Sequence, residues 1–83
     1  MICFKVNKNA KIELDVDKTD FNELLTFSPM FKRFNKFLIN TGNTRADNNR
    51  FALDEIIYGS NFTIDRFIIQ DDSAIFYIEA IKT

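Results

Sequence analysis

The end of the chain constrains the fold most. Residues 62–70, FTIDRFIIQ, and 74–82, AIFYIEAIK, are apolar-rich segments separated only by Asp71-Asp72-Ser73. Short apolar runs flanking such a turn read as an antiparallel hairpin. The second segment carries Ile75, Tyr77 and Ile81 on one face and Phe76, Ile78 and Ala80 on the other. A strand that is apolar on both faces belongs in the middle of a sheet, so other strands must flank it.

The start of the chain offers them. ICFKVN reads as a strand, and KNAK as the turn that reverses it. In KIELDVD, residues 11–17, Ile12, Leu14 and Val16 alternate with Lys11, Glu13, Asp15 and Asp17. A period of two with one apolar face predicts a half-buried strand. Two hairpins, one at each end, give a sheet of about four antiparallel strands.

The middle is helical in character. Thr19 or Asp20 can cap a helix N-terminus, with Glu23 three residues after Asp20 as in a capping box. Phe21, Leu24 and Leu25 then share a face. Ser28-Pro29 reads as a fresh start, because proline suits the first helical turn and not the interior. Two successive helices are therefore expected, the second ending near Asn40 with Gly42 as terminator.

SPMFKRFNKFL, residues 28–38, interleaves rings with cations. At about 100° per residue, Phe31, Leu38, Phe34, Met30 and Phe37 fall on one arc and Lys32, Lys36 and Arg33 on the opposite one. The rings are expected in the core, where they cannot stack on bases, and the cations in water. Residues 40–50, NTGNTRADNNR, read as a long exposed loop, and FALDEIIYGSN as a short helix ended by Gly59. Hairpin, helical segment, loop, hairpin is an α+β arrangement. The expectation is a single small domain over residues 1–83, with helices packed on one face of an antiparallel sheet.

Composition excludes more chemistry than it suggests. Histidine is absent, which removes the commonest general base and every Ser-His or Cys-His nucleophile pair. One cysteine without histidine cannot build a tetrahedral zinc site or an intramolecular disulfide. Two glycines, Gly42 and Gly59, cannot form a Gly-rich phosphate loop. Asp15, Asp17 and Asp20 resemble the start of a calcium loop, but Asp20 and Thr26 stand where that loop needs Gly and Glu. Cys3, between Ile2 and Phe4, is expected as a small buried side chain. No catalytic residue, cofactor or metal is expected. Charge interrupts the N-terminal apolar run after four residues, so neither an export leader nor a membrane span is expected, and the expected setting is a reducing cytoplasm.

Charge is unevenly placed. Lys32, Arg33, Lys36, Arg45 and Arg50 face only Asp47 within residues 32–50, a local +4. The other residues hold six basic and eleven acidic side chains, −5, which restores the overall −1. Those five cations are the expected partner-binding residues, and charge segregation of this kind favours oriented docking. The leading expectation is a protein-binding module acting by surface occupation. Inhibitors of host enzymes or defence complexes, from viral or mobile-element genomes, often share this Asn-, Lys-, Ile- and Phe-rich composition. The alternative is a nucleic-acid-binding accessory protein that uses the same basic residues on phosphates. A homodimer is compatible with either. Tyr58 and Tyr77 are candidate interface anchors.

Overall fold

In the computed structural model, which describes residues 1–82, the sheet has four strands. They are β1 (Ile2–Val6), β2 (Ile12–Leu14), β3 (Phe62–Gln70) and β4 (Ser73–Ala80), in the order β2-β1-β4-β3. All neighbouring strands are antiparallel. Between the hairpins lie α1 (Phe21–Thr41) and α2 (Ala46–Ile57). The α+β architecture and the central place of β4 both follow the expectation.

Ile2, Phe4 and Val6 of β1 and Ala74, Phe76 and Ile78 of β4 point to one face of the sheet. There they meet Phe27, Met30, Phe34 and Leu38 of α1 and Leu53 and Ile57 of α2 in one buried cluster. Phe76 packs against Phe4, Phe34 and Phe67, with ring centroids 5.3, 5.9 and 5.0 Å away. The edge strand β3 joins the same face through a bulge. Ile64 pairs with Ile78 and Arg66 with Tyr77, leaving Asp65 as the extra residue. The extra residue shifts the alternation, so Phe62 and Ile64 before it and Phe67 after it all face the helices.

Three local expectations are corrected. First, no break occurs at Ser28-Pro29: α1 runs unbroken for 21 residues with Pro29 inside it. Proline deprives the carbonyl four residues earlier of its donor, and that carbonyl belongs to Leu25. Both Leu25 and Pro29 lie on the exposed side of α1, where water can serve the carbonyl. A continuous helix also rephases its first turns. Leu24 stays against the core, but Phe21 and Leu25 are exposed. Replacing Pro29 with alanine restores the missing hydrogen bond. After allowance for the entropy that proline removes from the unfolded chain, Pro29→Ala is expected to stabilise the fold by about 1–2 kcal/mol. Urea denaturation followed by circular dichroism measures this.

Second, residues 40–50 are not one long loop. The helices are joined by residues 42–45 alone, and α2 begins at Ala46. Gly42 closes α1 in the left-handed conformation (φ 59°), its N–H donating to the Leu38 carbonyl. Asn49 anchors the new helix from within. Its side chain is buried, and Nδ2 donates to the Asn43 carbonyl at 3.0 Å. Gly59, with φ 79°, lies just past the end of α2.

Third, β2 stops at Leu14, and Val16 is exposed. The chain turns at Asp15, whose Oδ1 accepts the Lys18 N–H. Thr19 then returns to β1. Its hydroxyl accepts the Cys3 N–H at 3.1 Å and lies 2.6 Å from the Asp15 carbonyl oxygen. A side chain thus replaces the ladder partner that β2 would have supplied. Asp20 caps α1 by accepting the Asn22 and Glu23 N–H groups. The reciprocal half of the capping box is absent: Glu23 meets the Met1 ammonium at 2.9 Å, and the Asp20 N–H donates to the Met1 carbonyl.

Candidate interaction surface

The five expected cations are divided by the fold. Lys32, Arg33 and Lys36 are all exposed on the outer side of α1, and none forms an ion pair among the described residues. Arg45 sits at the N-terminus of α2 and reaches Asp47 at 3.3 Å. Arg50 lies 3.9 Å from Asp54 and covers the Phe67 ring at 5.3 Å. On α2, Arg50 falls about 160° away from Asn48, which borders the space between the helices. Three of the five therefore share a surface and two are engaged elsewhere.

The surface around those three is not simply polar. With α1 continuous, Phe21 and Ile39 fall near about 80°, Lys32 at about 100°, Leu25 at about 120° and Lys36 at about 140°, measured from Phe31. Phe21, Leu25 and Ile39 are 57%, 75% and 72% exposed. The spacing from Phe21 through Leu25, Ser28, Lys32 and Asn35 to Ile39 alternates four and three residues. That is the rhythm by which one helix face meets another protein surface. Dividing the helix at Pro29 conceals this stripe, because each half is then phased separately.

Beside it, α1 and α2 enclose an open groove of about 910 Å³. Arg33, Phe37, Asn48, Phe51, Glu55 and Tyr58 are among its lining residues. Phe51 is 67% and Tyr58 90% exposed. Tyr58 thus stands free, as an interface anchor would, while Tyr77 is half-buried on the sheet face away from the helices. Lys18 and Arg66 lie over the Tyr77 ring at 5.7 and 5.3 Å.

The acidic and thiol groups are occupied by structure. Asp15 and Asp20 accept backbone N–H groups, and among the described residues no three Cys, Asp or Glu side chains gather as metal ligands. Burial pushes the Cys3 thiol above its ordinary value, and the nearby Asp15 carboxylate acts in the same direction. The thiol is therefore held in its unreactive protonated form. No helix among the described residues is long and apolar enough to cross a membrane. Against known protein families, curated proteins and solved structures, the chain has no match.

Proposed function

We propose that the protein is a small protein-binding module that works by covering a partner's surface, with the outer face of α1 as its docking face. The supporting observation is the stripe of Phe21, Leu25 and Ile39, exposed on the same face that carries Lys32 and Lys36. Apolar side chains at helical spacing, flanked by cations, suit a hydrophobic groove with an acidic rim. At 21 residues the helix is about 30 Å long, enough to fill such a groove. Occupying it would inhibit whatever the partner does there. Phosphate binding would use the cations but leave three large apolar groups without a role, so the mixed surface favours a protein.

The test compares Leu25→Asp with Lys32→Glu/Lys36→Glu. Leu25 is exposed, so its replacement is expected to change stability by less than about 0.5 kcal/mol. Each variant should weaken capture of a stoichiometric protein partner by roughly tenfold or more. Binding of labelled DNA or RNA at low salt that the charge variant abolishes and Leu25→Asp leaves intact would replace this reading with the nucleic-acid one.

A further inference from the structure

We infer that the groove between α1 and α2 is a self-complementary face that pairs with a second copy of this chain. Its two walls carry opposite charge. On the α1 side stand Arg33 and Lys36, and on the α2 side Asp54 and Glu55. Arg33, Lys36 and Glu55 form no ion pair among the described residues, and Asp54 meets only Arg50, at 3.9 Å. Arg33 and Glu55 both line the groove without bridging it. Opposite charges are thus held facing a shared space and left unsatisfied across it.

A twofold axis along the groove satisfies them. That rotation lays α1 of one copy on α2 of the other, so basic wall meets acidic wall twice. It also brings Arg33 towards the exposed rings of Phe51 and Tyr58 of the second copy, where a guanidinium stacks favourably. An axis across the groove would instead place α1 on α1 and oppose like charges. An unrelated occupant would need both signs in the correct order along its two sides. The second copy has them by symmetry.

The size of the face sets the strength. The 12 residues of α2 span about 18 Å, and two packed helices make a face roughly 20 Å wide. An interface of that extent lies at the small end of the stable range, so the dimer is expected to be reversible and to weaken with salt. Phe21, Leu25, Lys32 and Ile39 lie on the outer side of α1 and take no part in it.

Sedimentation velocity over a concentration series tests the inference. The wild type should pass from monomer to dimer. Arg33→Glu alone and Glu55→Lys alone should each raise the dimer dissociation constant by roughly tenfold or more, and mixing the two should restore a heterodimer. Phe51→Ser should also weaken the pair, while circular dichroism stays unchanged because the site is exposed. A wild type that is monomeric throughout would overturn the inference. So would a dimer indifferent to these changes, or single variants that fail to rescue each other. Leu25→Asp should leave self-association intact, which separates this outcome from failure of the partner-docking reading.

Discussion

Phe76→Ala is expected to leave the chain largely unfolded in water at 25 °C. Phe76 is fully buried at the middle of the central strand β4, and its ring touches those of Phe4, Phe34 and Phe67. Those partners belong to β1, α1 and β3, so a single ring joins three elements. Truncating a buried phenylalanine costs about 3–5 kcal/mol, from lost transfer energy and the cavity left behind. A domain this small rarely has more than about 3–5 kcal/mol in total. Urea titration by tryptophan fluorescence is impossible, since the chain has no tryptophan, so far-UV circular dichroism is the measure. A cooperative transition within 1 kcal/mol of the wild type's, an allowance well below the expected cost, would show that the ring cluster is not the centre of the core.

The second large effect is expected at a polar atom. Thr19→Val keeps the shape of the side chain and removes its hydroxyl. The Cys3 N–H then loses its acceptor in the buried centre of the sheet, and the Asp15 carbonyl loses a close partner. A buried donor left unsatisfied costs about 1–3 kcal/mol. Adding the smaller loss at Asp15, a total of about 2–4 kcal/mol is expected. Thr19→Ser should recover most of it, because the oxygen returns. Native-state hydrogen exchange gives the sharper readout: in Thr19→Val the Cys3 amide should lose protection out of proportion to its neighbours. Equal stability of the valine and serine variants would contradict the bridging role.

These two residues also mark what could be read from sequence. Phe76 was legible because alternation on a strand needs only local chain geometry, and apolar residues on both faces leave only a central position. The inward turn of Phe34 and Leu38 was legible for the same reason, with the helical period in place of two. Thr19 was not legible in its final role. As a helix-capping candidate it obeyed local rules, but it bonds to a strand that lies near it only after folding. Pro29 misled because its helix-starting preference is local, whereas its tolerance inside α1 depends on which side of the helix faces water. Likewise Ala46 to Arg50 look like loop when their polarity is counted. The buried Asn49 holding the Asn43 carbonyl makes them the first turns of α2. The α1 cations were foreseen, but the apolar stripe among them emerged only when the helix was continuous.

The strand order has a temporal consequence. The first strand made, β1, lies between β2 and β4, and its registered partners in β4 run from Ala74 to Ile78. As the chain leaves the ribosome, β1 has only the three-residue β2 beside it, and an isolated two-stranded hairpin is marginally stable in water. The helices can form early, yet their apolar faces have no complete sheet to cover until β4 emerges. Closure therefore joins segments some seventy residues apart in sequence, the kind of distant contact that slows folding. Until then the newly made chain presents Phe27, Phe34 and Leu38 to its surroundings, and it depends on rapid completion, or on a chaperone, to avoid aggregation.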